Sequence, residues 1–158
     1  MTQEPLTPHQ TIAARVKQLR KGRGWSAQHL ADQMAAEGIA WDRSIVANLE
    51  NGRRASVSVE EFLVLAFVLD VAPVHLLVPV DAEETTPYRV VPERLPAGSW
   101  FVRAWFRGRT PIGGVDPKRY FAEVPDIEWE PPASQWTPEN IEAASAATTE
   151  ARKAAGRS

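Results

Sequence analysis

An all-α globule of five short helices is predicted for residues 9–79, followed by a Pro-rich extension that carries short helical elements. Three observations point to it. Apolar residues recur at the three- and four-residue spacing of one helix face. Ser or Asp stands before three of the segments, where its side chain can cap free backbone amides. Gly stands just past the ends of several, where the left-handed conformation that closes a helix suits it.

Residues 10–21 place Ile12, Val16 and Leu19 on one helical stripe, and Gly22 and Gly24 end the pattern. Ser26 caps a second helix, AQHLADQMAAEG, whose Leu30, Ala31 and Met34 form its apolar face before Gly38. Asp42 caps a third, RSIVANLEN, which Gly52 stops. Ser58 caps a fourth that runs through Leu69, with Glu60 and Glu61 placed to complement its dipole. A short fifth spans the apolar stretch 71–78, with Pro73 in its first turn. Short connections between short helices make a helical globule.

Residues 1–8 are expected to be a flexible lead-in, and 80–95, rich in acidic residues, Thr and Pro, a linker or extended arm. Residues 96–158 form the C-terminal extension. It should hold a short helix from about Pro96 to Gly108, preferred over a strand that Trp, Phe and Val also favour. Mostly irregular chain with anchoring aromatics is expected over 109–136. A terminal helix over 138–155, capped by Thr137, has Ile141 as its only large apolar residue.

Composition narrows the chemistry. The 158 residues are 44% hydrophobic, enough for a core, and contain no Cys, which excludes disulfides, thiolate metal sites and Cys nucleophiles. No secretory h-region and no apolar run of transmembrane length are present, so a cytoplasmic protein, nucleoid-associated when bound to DNA, is expected. His9, His29 and His75 lack metal-ligand spacing, and no metal or cofactor is expected. Asp126, Glu128 and Glu130 read as a solvated acidic loop, and Gly113-Gly114 as a turn rather than a phosphate cradle. The net charge of −2 conceals an asymmetry: His9 to Arg54 carries eight Lys/Arg against four Asp/Glu, a net +4, whereas 59–93 is acidic. A local positive face, not a positive total, is what phosphate contact requires.

Taken alone, the third segment has the build either of a helix that enters a DNA major groove or of an ordinary helix with a solvent-facing polar side. Ile45, Val46 and Leu49 can face inward while Arg43, Ser44, Ala47 and Asn48 face out. Arg matches guanine and Asn matches adenine in the groove code, and Ala can touch a thymine methyl. The run VKQLRKGRGWSAQHLA, then RSIVANLENGRR, then VEEFLVLAFVLDVAPVHLL resembles the Xre-type, lambda-repressor-like helix-turn-helix family. The resemblance covers residues 9–79. Its extended turn, AAEGIAWD, is similar to the long-turn form common in actinobacteria and their phages.

That resemblance implies a non-catalytic, sequence-specific transcriptional regulator, a homodimeric repressor that occludes a promoter on double-stranded DNA. It implies Arg43, Ser44, Ala47 and Asn48 as base-reading residues, and Gln28, Arg53, Arg54, Lys17 and Arg23 as phosphate contacts. The family often carries Gln directly after the cap of the second helix; here Ala27 holds that position and Gln28 follows. Arg20 and Glu50 match a structural ion pair of the phage repressors. Trp25 and Trp41, which flank the two motif helices, suit core packing better than base stacking.

Trp100, Arg103, Trp105, Phe106 and Arg107, with Arg109, form a second constellation. It suits packing or a dimer contact, an auxiliary nucleic-acid surface, or a pocket for a ligand or partner. A palindromic operator needs a dimer interface outside the five helices, and this segment and residues 138–155 are the candidates. Ala97-Gly98 matches the cleavage dipeptide of self-cleaving repressors, but 60 residues are too few for their peptidase domain. The principal rival is an antitoxin-like interaction protein whose C-terminal half, 96–158, binds a partner protein while the first half autoregulates. An enzyme is not expected.

Overall fold

In the computed structural model, which describes residues 4–80, 86–123 and 125, helices dominate and strands are confined to one short pair. The order is α1 (Pro8–Gly22), α2 (Ala27–Ala36), α3 (Arg43–Glu50), α4 (Val59–Val68), α5 (Pro73–Leu77), β1 (Pro87–Tyr88), β2 (Ala97–Gly98), α6 (Ser99–Phe106) and α7 (Pro117–Ala122). The chain divides into two units, Met1–Pro117 and Lys118–Ser158. Of the second, only 118–123 and 125 are described. They complete α7, where Tyr120 and Phe121 meet edge to face. Among the described residues no helix is long and apolar enough to cross a membrane.

Local chemistry sets the helix boundaries. Thr7 caps α1 in a capping box with Gln10, and Pro8 fills the first turn, where a missing amide costs nothing. Ser26, Asp42 and Ser58 each accept a backbone N–H three residues on, from His29, Ile45 and Glu61. At the other ends α1, α2, α3, α4 and α6 share one device. The residue past the cap turns left-handed, and two backpointing amides satisfy the last carbonyls. At α3, for example, Gly52 (φ +67°) donates to Leu49 O and Arg53 to Asn48 O, at 3.0 and 2.9 Å. In α4 the left-handed position falls on Asp70, at φ +47°, a residue type that tolerates that region better than most.

α1 to α5 enclose the principal core. Val16, Leu30, Met34, Val46, Leu49, Leu65, Leu69 and Leu76 are fully buried there, each burial worth about 1.5–3 kcal/mol. A second, smaller core lies on the other side of α5, where Val78, Tyr88 and Val102 are buried beneath Leu6, Val74 and Leu77. Leu77 packs against both cores. β1 and β2 pair antiparallel, with Pro87 opposite Gly98 and Tyr88 opposite Ala97. Leu6 bridges Tyr88 in parallel, its amide donating to Pro87 O at 3.1 Å and its carbonyl accepting from Arg89 N at 2.8 Å.

Several expectations are corrected here. Residues 4–8 are not a loose lead-in, because Leu6 pairs with β1 and Thr7 caps α1. The stretch read as a linker or extended arm holds a strand, Pro87–Tyr88, whose Tyr88 is buried and donates its hydroxyl to Leu77 O at 2.6 Å, so it is packed and not a free connector. The aromatic helix begins at Ser99, because Ala97 and Gly98 are taken into β2. α7 interrupts the chain expected to be irregular. The helix expected over 138–155 lies outside the described residues.

α4 presents an apolar line that the sequence reading did not separate from the core. Val59, Leu63 and Phe67, one helical turn apart, are 69%, 50% and 60% exposed, whereas Leu65, Ala66 and Val68 face inward.

Candidate nucleic-acid interface

α2 and α3 pack against each other through Leu30, Ala31, Met34, Val46 and Leu49, which leaves the opposite face of α3 to solvent. Arg43, Ser44 and Asn48 are exposed on that face and Ala47 is half-buried. The side chains of Arg43 and Asn48 make no hydrogen bond or ion pair with other described residues, so their donors and acceptors are open to an outside partner. Ser44 is more constrained. Its hydroxyl donates to Asp42 Oδ1 at 2.6 Å, and only its lone pairs face outward.

Asp42 Oδ1 also accepts from Ile45 N at 2.9 Å. The Ser44 hydroxyl, then the Ile45 amide, hold the Asp42 carboxyl below its ordinary 3.8. A depressed carboxylate pKa contributes stability above the unfolded value, and that contribution is lost as pH falls through the folded one. Urea unfolding followed from pH 5 to pH 2.5 should therefore steepen below about pH 3.8. Asp42→Asn, which keeps a capping oxygen without the titration, should flatten that limb; an unchanged slope would remove Asp42 from the acid response.

Behind α3, Arg20 holds three elements together. Its Nε and Nη2 donate to Glu50 Oε1 and Oε2 at 2.5 and 2.8 Å, and its Nη1 donates to Trp25 O at 2.6 Å. The side chains of the pair are only 12% and 6% exposed. The hydrogen bond to Glu50 raises the Arg20 pKa despite partial burial, so its charge is fixed across any working pH.

A second node sits where the α2–α3 turn meets α4. Glu61 Oε1 accepts from Trp41 Nε1 at 2.9 Å and from Arg54 Nη2 at 2.5 Å, while Oε2 accepts from Ser58 N at 2.8 Å. Burial opposes ionisation of Glu61, but the Ser58, Trp41 and Arg54 donors outweigh it and lower its pKa. The Arg54 guanidinium lies 4.9 Å from the Trp41 ring centroid, and Trp41 itself is buried in the core.

Two of the residues expected to contact phosphate have partners within the fold. Arg54 is turned inward onto Glu61 and Trp41, so its charge is already matched by a carboxylate. Arg23 donates to Leu69 O at 2.6 Å and to Asp70 Oδ2 at 3.3 Å, and lies over the Trp25 ring, joining the end of α1 to the end of α4. Arg53 is exposed, with no ionic partner among the described residues. Lys17 is half-buried on α1. Gln28 is exposed in the first turn of α2, where its Nε2 donates to Asp32 Oδ1 at 2.8 Å.

The aromatic and basic constellation divides on folding. Arg103 is 6% exposed and donates to Pro79 O. Trp105 is half-buried against the second core. Trp100, Phe106 and Arg107 remain exposed. Among the described residues no group of three or more His, Asp or Glu side chains could hold a metal. Known protein families, curated proteins and solved structures yield no match to this chain.

Proposed function

We propose that the protein is a sequence-specific DNA-binding transcriptional regulator, a homodimeric repressor that occludes its promoter. The observation that carries this function is the outer face of α3. Arg43 and Asn48, without a side-chain partner among the described residues, stand on a helix that is capped by Asp42, held from behind by Val46 and Leu49, and locked by the Arg20–Glu50 pair. α3 is the recognition helix of a helix-turn-helix, with α2 lying before it across the backbone. Arg43 reads guanine, Asn48 reads adenine, and Ala47 and the lone pairs of Ser44 complete the base-facing set. Arg53, Gln28 and Lys17 contact phosphate, and of these Arg53 and Gln28 are exposed.

Purified protein mixed with fragmented genomic DNA at about 0.15 M salt, where the Debye length is about 8 Å, should retain fragments sharing one roughly palindromic motif. Against that motif Asn48→Ala should lose about 1–3 kcal/mol and accept other bases at one position. Its backbone carbonyl, which closes the end of α3, is unaffected. Arg53→Ala should weaken all sequences alike and reduce the salt slope by about 1. Retention of no recurring motif, or equal affinity and base preference in Asn48→Ala, would remove α3 as the reading helix.

A further inference from the structure

We propose that the cleft between the turn joining β1 to β2 and the Gly113–Gly114 turn binds a small apolar monocarboxylate, its body seated in the cleft and its carboxylate on Arg94. The cleft has a volume of about 340 Å³, at the small end of the ligand range of about 300–1,000 Å³. Val90, Val91, Leu95 and Ile112 give it aliphatic walls, and the buried Tyr88 lines it as well. The Tyr88 hydroxyl is already donated to Leu77 O at 2.6 Å. Arg94 is the one charged residue among its described lining residues, and no carboxylate is among them.

Two hydrogen-bonded turns hold this arrangement. Arg94 N donates to Val91 O at 3.0 Å, and Val115 N donates to Ile112 O at 3.1 Å. Gly114 takes the left-handed φ of +89° that the second turn requires, and a Cβ there would stand 3.8 Å from Arg94 Cζ and Nη1. The guanidinium therefore lies against the glycine turn, at the edge of the cleft. Its side chain makes no hydrogen bond or ion pair with other described residues, the neighbouring Glu93 included. A guanidinium offers two parallel N–H donors that match the two oxygens of a carboxylate. One such fork suits one carboxylate; further charges on the same ligand would face aliphatic walls without a partner, which is costly. Val91 and Leu95, 44% and 94% exposed, add apolar surface at the same cleft. Exposed apolar residues grouped at a concavity mark a binding groove, whereas scattered single ones do not.

This site is independent of the DNA-binding function, and its test contains no DNA. The chain has two Tyr residues, so the full chain labelled with 3-fluorotyrosine gives two ¹⁹F signals, and Tyr120→Phe leaves that of Tyr88. Phenylacetate and octanoate, each beside its neutral amide, are titrated separately at neutral pH and constant ionic strength. At least one acid should shift the Tyr88 signal saturably while moving that of Tyr120 little; tighter binding of phenylacetate assigns an aromatic acid, and of octanoate an aliphatic one. The amide of the tighter acid should bind at least tenfold more weakly, about 1.4 kcal/mol. Arg94→Gln should cost the acid the same factor, with an unchanged Tm because the side chain is exposed and unbonded within the described residues. Leu95→Asp, at a position 94% exposed, should weaken the acid too by bringing a like charge to the cleft. Three results would overturn the proposal: no saturable Tyr88 shift with either acid, an amide that binds as tightly as its acid, or undiminished acid binding in either variant. The second would leave an apolar cavity without selectivity for an acid.

Discussion

Arg20→Ala is expected to lower the thermal midpoint of the protein by roughly 12–20 °C. Removing one partner of a largely buried pair costs about 3–5 kcal/mol, mainly because the other charge is left buried without a counterion. A domain of this size loses about 4 °C per kcal/mol. Here the stranded group is Glu50, 6% exposed at the end of α3. The same substitution also removes the donor to Trp25 O that closes the turn from α1 into α2. Replacing both partners, Arg20→Met with Glu50→Leu, should recover much of the loss, since two apolar groups leave no unpaired charge. Thermal melts of the three proteins separate an ion pair retained for geometry from one retained for stability. If Arg20→Ala melted within 3 °C of the unaltered chain, the pair would not be the brace that its geometry indicates.

Tyr88→Ala should cost about as much, roughly 3–5 kcal/mol, the range for emptying a buried aromatic site. Tyr88 is fully buried and occupies the middle of the second core. Its loss would uncover Val78 and Val102 and slacken the pairing of Leu6 with β1. Tyr88→Phe isolates the hydroxyl: the ring stays, but Leu77 O loses its donor, at about 1–3 kcal/mol. Burial raises the Tyr88 pKa above its ordinary 10.0. A raised phenol pKa contributes stability below the unfolded value and loses it as pH climbs through the folded one. Stability should therefore decline above about pH 10, and Tyr88→Phe should flatten that alkaline limb.

The five helices around the principal core were legible in the sequence because each carries its own punctuation. Ser26, Asp42 and Ser58 cap, Pro73 opens, and Gly24, Gly38 and Gly52 close, all through interactions within a few residues. Leu6 and β1 were not legible. A two-residue strand has no periodicity, and its partners are supplied by chain 9 to 82 residues away. Nor did the exposed line on α4 show, since VEEFLVLAFV is apolar at nearly every position after Glu61 and no face stands out.

Charge was the least informative signal at the candidate interface. Arg23, Arg53 and Arg54 look alike in sequence, yet two of them end on Asp70 and Glu61. Which anion satisfies an arginine depends on where the fold places the carboxylates, and Asp70 lies 47 residues from Arg23. Arg43 and Asn48 were legible for the opposite reason. Both share one short helix with inward-facing Val46 and Leu49, and the helical period places them off that buried face, so periodicity alone decides that they point outward.

Leu77 bears on how portable the first five helices are. One side chain takes part in both cores, and Leu76 and Val78 on either side of it are each committed to a different one. A graft cut after residue 80, the boundary that the helix pattern suggests, would carry Val78 and Leu77 to its new host with their cover removed. It would also strand Leu6, whose backbone partners lie at Pro87 and Arg89. The smallest self-sufficient cassette therefore extends past α6 to include Ile112, which packs against the second core. Recombination or fusion within this chain should succeed beyond that point and fail at the apparent seam.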